Sequence, residues 1–264
     1  MKNYFFILLY GKIKIKKLSL KKFLIKRLKI KESDFINLYR IFNCRIYTDS
    51  STNVAFIKDN KKVIIGATTI KDGDYYNSFF LLEKNKIQKF DKQILVPFGE
   101  FLPFRKYLNF MEIISGSTDY QKGDAERIIT TSDNLKILPI ICYEIVFDKI
   151  FNNINKKEID ILVNITNDSW FGTRSGPYQH FYISRLKSLV ANKSLLRVSN
   201  NGISAIIDNN GKIIKSSKLN KITQLKYKLK INNNKSYFFT HKIFTFYLFS
   251  IFIFLIIYSK RKEI

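Results

Sequence analysis

The stretch Lys136–Phe147, KILPIICYEIVF, decides the fold, because its first half is apolar at consecutive positions and not at alternate ones. A strand that is apolar on both faces sits between two covering layers, the situation of strands in α/β proteins. The run ends on Cys142, with Glu144 two residues later. A free cysteine there is either a small buried hydrophobe or a nucleophile placed at a strand end, and the stretch alone leaves both readings open.

Working outward, the same texture recurs. Ile159–Phe171, IDILVNITNDSWF, begins as a second buried strand, and Asn53–Ile70 contains further strand-like segments. Tyr75–Phe90, YYNSFFLLEKNKIQKF, reads as two strands around a polar turn. From Pro177 to Asn192 the spacing permits a helix carrying Phe181, Ser184 and Leu189. Leu195–Ile214, LLRVSNNGISAIIDNNGKII, gives strands punctuated by Asn-Gly pairs, which favour tight turns. The simplest division is a basic N-terminal segment at 1–34, one α/β domain at 35–230 and a terminal apolar helix.

That helix, at 237–258, is expected to cross a membrane. Its uncharged portion is Ile243–Tyr258, the apolar residues before His241 extend it, and Lys260-Arg261-Lys262 marks a cytoplasmic end. Such an orientation leaves the domain outside, which requires an earlier export element. Tyr4–Tyr10 is too short for one, so a missing or separately encoded upstream membrane segment is expected.

Composition excludes more than it assigns. With 46 Lys and Arg against 21 Asp and Glu, the formal charge of +25 attracts any polyanion, and no nucleic-acid motif accompanies it, so no nucleic-acid partner is expected. Cys44 and Cys142 lie far apart in unlike contexts and form no Cys-x-x-Cys pair. His180 and His241 make no metal cluster, and neither metal nor cofactor is expected.

A second polar group stands where another strand ends. In Asp91–Phe104, DKQILVPFGEFLPF, Lys92 precedes an expected strand and Glu100 follows it, with Pro97 and Gly99 shaping the turn between them. Strand ends in α/β sheets are where functional loops converge. A carboxylate that takes a thiol proton, a thiolate that attacks a carbonyl and an ammonium that stabilises the oxyanion form a complementary set.

The stretches DKQILVPFGEFLPFR, ICYEIVF, LVNITNDSWFG, SGPYQHF and LLRVSNNGISAIIDNNGKII resemble, in this order, the nitrilase-like domain of bacterial apolipoprotein N-acyltransferases. The resemblance covers roughly residues 62–214 and implies an αββα nitrilase-like sandwich in a bacterial inner-membrane enzyme, the domain lying outside the cytoplasm if the upstream spans are supplied. It implies that Cys142 forms a thioester with an acyl chain taken from a phospholipid and passes it to the amine of a diacylglycerylated lipoprotein. Lys92 would stabilise the oxyanion, Glu100 and Glu144 would be supporting carboxylates, and Tyr143, Trp170 and Phe171 would shape the site or its lipid entrance. Asn167 and Asp168 would hold the adjacent loop.

One departure matters. The family carries a Trp-Pro-Glu motif, upstream of the lysine, whose glutamate is the general base, and no such motif occurs here; the surroundings of Glu32 and Glu83 do not match it. The resemblance therefore leaves two alternatives beside the active acyltransferase, namely a catalytically impaired fragment and a carbon–nitrogen hydrolase acting on an amide.

Overall fold

The computed structural model describes residues 3–10, 45–46, 62–83, 86–105, 107, 119–155, 157–221, 223–231 and 234–261. The strands are β1 (Asn3–Tyr10), β2 (Arg45–Ile46), β3 (Val63–Lys71), β4 (Asp74–Glu83), β5 (Lys86–Asp91), β6 (Ile129–Thr130), β7 (Lys136–Ile141), β8 (Ile161–Thr166), β9 (Ser194–Ser199), β10 (Ala205–Ile207), β11 (Ile213–Ser216) and β12 (Thr223–Lys230). Among the described residues there are two α-helices, α1 (Ser175–Ala191) and α2 (Tyr237–Arg261).

The apolar runs form the centre. β7, β8 and β9 lie parallel and side by side in a six-stranded sheet of order β11-β10-β9-β8-β7-β6. Alternation then sorts their side chains into two layers. Ile137, Ile141, Ile161, Val163 and Leu196 face one core with Phe79, Leu81 and Phe90 of the second sheet, whose order is β2-β3-β4-β5. Leu138, Ile140, Leu162 and Leu195 face the other core with Phe181 and Ala191 of α1. Each fully buried large apolar side chain contributes about 1.5–3 kcal/mol, against about 0–1 for an exposed ion pair such as Lys136–Glu158, so the sandwich is held by its two apolar layers.

Local chemistry explains the details. The β3–β4 hairpin turns on Asp72-Gly73, both at positive φ (53° and 88°), which a two-residue turn of this hand requires. Pro139 is tolerated inside β7 because β6 pairs only with Lys136 and Ile137, and the Pro139 carbonyl accepts from Arg127 Nη1 at 3.1 Å. At Gly66 the two sheets approach closely: a Cβ there would lie 2.8 Å from Ile165 Cδ1.

At the ends, one segment gains a strand and one expectation is overturned. Within the basic segment at 1–34, the described residues form a strand, β1, which pairs antiparallel with β12 from Asn3↔Lys230 to Tyr10↔Thr223; the rest of that segment lies outside the described residues. The expected transmembrane helix at 237–258 is corrected: α2 forms there, but among the described residues no helix is long and apolar enough to cross a membrane. His241 and Lys242 interrupt the apolar run, and the uncharged Ile243–Tyr258 spans about 24 Å as a helix, short of the ~30 Å hydrocarbon core.

Candidate active site

Cys142 is the first residue after β7, half-buried, with a φ of 53°. A non-glycine residue in the left-handed region costs about 1–2 kcal/mol, so its neighbours must hold it there. They do so from both sides. Asn164 on β8 donates its Nδ2 to the carbonyls of Ile140 and Cys142, both at 3.2 Å, and the Glu144 carboxylate accepts the Ile141 N–H at 3.0 Å.

Glu144 is fully buried and saturated. Its Oε1 accepts from Gln93 N (2.9 Å), Ile94 N (3.0 Å) and Arg127 Nη2 (2.6 Å), and its Oε2 from Ile141 N and Arg127 Nη1 (2.9 Å). These bonds staple the chain immediately after Lys92 to the strand end immediately before Cys142. Lys92 itself is 1% exposed, and its Nζ donates to Glu100 Oε2 at 2.6 Å. Glu100 also accepts from Val96 N at 2.8 Å and from Asn77 Nδ2, while the Lys92 N–H donates to the Asn77 carbonyl at 2.8 Å. A buried lysine beside one carboxylate keeps its charge paired until a developing anion arrives.

Opposite the Glu144 staple, the ends of β8 and β9 carry a buried charged cluster. Asn164 and Arg197 are register partners facing α1, and Arg197 Nη1 donates to Asn164 Oδ1. Arg197 Nη2 donates to Asp168 Oδ2 at 2.7 Å, and Asp168 also accepts from Ser199 Oγ (2.8 Å) and Thr166 Oγ1 (2.9 Å). His180 of α1 places Nδ1 2.9 Å from Asp168 Oδ1. Burial pushes the Asp168 carboxyl up, yet the His180 hydrogen bond and the Arg197 charge outweigh it and hold the group well below the usual carboxylate range. For His180, burial and the Arg197 charge outweigh the carboxylate and lower the imidazole, which is therefore neutral near pH 7. Neutral, it donates Nδ1–H to Asp168. Gly202 closes over this cluster: a Cβ there would lie 1.8 Å from Asp168 Oδ2.

The structure thus brings Lys92 and Glu100 into direct contact and ties the Lys92 segment to the Cys142 turn through Glu144. Tyr143 packs against Phe171 (5.9 Å between ring centroids), Phe147 (6.0 Å) and His180 (5.8 Å), whereas Trp170 points outward, 73% exposed. Asn167 caps the short turn after β8, accepting from Ser169 N at 3.3 Å. Among the described residues no cluster of His, Cys, Asp and Glu could hold a metal ion. Sequence reasoning missed Asn77, Arg127, Asn164 and His180 as parts of this site. The available signal was polarity inside apolar strands, Asn164 in ILVNIT and Arg197 in SLLRVS, since a buried polar group needs a partner.

Comparison with known proteins agrees with this architecture. Over 185 residues the chain is 40% identical to the apolipoprotein N-acyltransferase of Rickettsia prowazekii (strain Madrid E), which covers 67% of this chain and 35% of that protein. Identity to the protein of the same description from Rickettsia typhi (strain ATCC VR-144 / Wilmington) is 41%, with the same coverage. The chain thus spans about a third of the length of these curated relatives. Its fold matches that of Saccharomyces cerevisiae Nit3, a member of branch 10 of the nitrilase superfamily, with a TM-score of 0.58 over 87% of this chain and 90% of that one, at 15% sequence identity. The family model described as carbon-nitrogen hydrolase matches residues 55–231, and so the chain belongs to the carbon–nitrogen hydrolase family, its nitrilase-like domain being homologous to part of the apolipoprotein N-acyltransferases.

Proposed function

We propose that this domain performs the acyl transfer for which its relatives are described, with Cys142 as nucleophile and Lys92 as oxyanion stabiliser. The observation that carries the reading is the Glu144 staple, which holds the paired Lys92 segment against the strained Cys142 turn. The Cys142 sulfur attacks the ester carbonyl of a phospholipid acyl chain, and the C=O electron pair moves to oxygen, facing the Lys92 ammonium. Collapse breaks the bond to the glycerol oxygen, which takes the proton given up by the thiol and leaves as lysophospholipid. The α-amine of a diacylglycerylated lipoprotein then attacks the thioester, an amide forms, the C–S bond breaks and the amine's proton returns the sulfur to thiol. Such substrates give the domain a membrane-linked role, on the outer side of the bacterial inner membrane.

Proton transfer is the weak step. Glu144 has every lone-pair direction occupied, and Glu100 is committed to Lys92, Val96 and Asn77, so both support the site and neither is the dedicated base. Residues 1–264 alone are therefore expected to load slowly. The test is intact-mass measurement of the chain incubated with phospholipid vesicles, then with a diacylglyceryl lipopeptide. Expected is a small Cys142-dependent acyl adduct that grows when a segment carrying membrane spans and Trp-Pro-Glu is supplied. Absence of any adduct under both conditions, with turnover of a simple amide instead, overturns the acyl-transfer reading in favour of hydrolysis.

A further inference from the structure

The Asp168–His180–Arg197 cluster is not accounted for by the chemistry above, yet it touches the nucleophile's turn at two places. Through one arm, Arg197 fixes Asn164, whose Nδ2 holds the Cys142 carbonyl at 3.2 Å. Through the other, the His180 ring lies against Tyr143, the residue after Cys142, and against Phe171, 5.0 Å away. Asp168 joins the arms, accepting from both Arg197 and His180. The result is a closed circuit of buried groups that begins and ends on the Cys142 turn. His180 is 2% exposed, and its Nε2 is buried without a hydrogen-bond partner among the described residues. A purely structural histidine at this depth satisfies both nitrogens. One that satisfies only the nitrogen aimed at Asp168 keeps a single tautomer and a single ring plane, and so serves to orient.

We propose that His180 is a positioning residue for Cys142: anchored by Asp168, its neutral ring braces Tyr143 and so sets the turn from which the thiol projects. The inference rests on Cys142 being the nucleophile but not on which acyl group it takes. Protonating the ring changes the balance of the circuit. The charged groups facing it are Asp168 from the turn after β8 and Arg197 from β9, and the turn after β7 contributes Tyr143 and the Cys142 backbone carbonyl. A second cation there shares Asp168 with Arg197, 3.1 Å from His180 Nδ1, and weakens the Arg197 arm that secures Asn164. Acidification is therefore expected to loosen the Cys142 turn before it protonates Asp168, whose carboxyl is held lower still.

The test reads the thiol directly, without substrate. Alkylation of Cys142 by iodoacetamide is followed by intact mass from pH 5 to 8 in the full chain, with Cys142→Ala as the blank. Thiol protonation alone makes the rate fall about tenfold per pH unit below the thiol's pKa. Because the folded ring titrates lower than an ordinary histidine, the wild type is expected to fall more steeply than that only at pH values beneath 6.5. His180→Gln, which keeps a neutral amide of similar reach, is expected to alkylate within about threefold of wild type at pH 8 but to show the simple tenfold slope. His180→Ala is expected to alkylate about tenfold more slowly at pH 8. A His180→Gln chain that retains the wild-type slope, or a wild type with no excess slope, overturns the proposal, and neither readout depends on His180→Ala folding. A wild type whose Cys142 does not alkylate at all would instead count against Cys142 as nucleophile.

Discussion

Two buried arginine–carboxylate pairs flank the Cys142 turn, and they are built from different partners. Glu144, with Arg127, takes three backbone N–H groups from Gln93, Ile94 and Ile141, so it fixes the main chain of two segments relative to each other. Asp168, with Arg197, takes side-chain donors from Thr166, Ser199 and His180. Backbone donors cannot titrate or rotate away; side-chain donors can. One pair is a pin and the other an adjustable brace, and their separate failures should look different.

The largest expected effect lies on neither pair. Cys142→Ala should remove the acyl adduct completely while leaving the fold intact, because a half-buried thiol gives up little packing when shortened. Intact mass after phospholipid treatment, with thermal melting as control, reads both; an adduct surviving in this variant would move the nucleophile elsewhere.

Next come the pairs themselves. Glu144→Gln and Asp168→Asn each leave a buried arginine without its counter-charge, which costs about 3–5 kcal/mol in urea unfolding. The contrast lies in the remaining folded protein. Losing the pin should uncouple the Lys92 segment from the Cys142 turn and lower loading strongly, whereas Asp168→Asn keeps that staple and should retain more of it. Equal losses of loading per kcal/mol lost would erase the distinction.

The pH dependence sharpens it further. The Asp168 carboxyl is lowered in the fold, so its stabilisation is in place above the unfolded carboxyl value of about 3.9 and is lost only as pH falls through the lower folded value. His180 is lowered too, and for a histidine this means that the unfolded chain takes up the proton first as pH drops below about 6.5. Stability is therefore lost in the window beneath 6.5, down to the folded value. The urea midpoint should fall between pH 7 and pH 5 in the wild type and fall less in His180→Gln; identical falls would place the acid sensitivity outside this brace.

The contrast between the pairs also explains what the sequence could convey. β7, β8 and β9 were legible because burial on both faces leaves consecutive apolar residues, whereas Lys92, Glu100 and Cys142 stood out only through ordered motifs: Lys92 and Cys142 directly follow β5 and β7, but the strand expected between Lys92 and Glu100 does not form and Glu100 lies in a turn. The Asp168–His180–Arg197 circuit was not, since its members meet only through the β8–β9 register and the placement of α1, neither of which any local spacing encodes. β1 escaped notice for a like reason: its partner β12 lies at the other end of the chain. At 237–258 the hydropathy of α2 is legible, but the charge at Lys242 shortens its uncharged run to Ile243–Tyr258.

The smallest stability effect is expected at Trp170, and it separates holding the site from meeting the substrate. Trp170 is 73% exposed beside Phe171, which packs on Tyr143 and His180, so the two neighbours face different tasks. Phe171→Ala should destabilise the chain and disturb the brace. Trp170→Ala removes an outward ring and should change the urea unfolding free energy by no more than about 0.5 kcal/mol. Under the proposed acyl transfer, this exposed indole beside the Cys142 turn has area to give to an acyl chain. Trp170→Ala should therefore raise the phospholipid concentration needed for half-maximal Cys142 loading several-fold while leaving the iodoacetamide rate of Cys142 unchanged. A variant that slows alkylation as much as it weakens loading would show that Trp170 belongs with the positioning groups and not with the entrance.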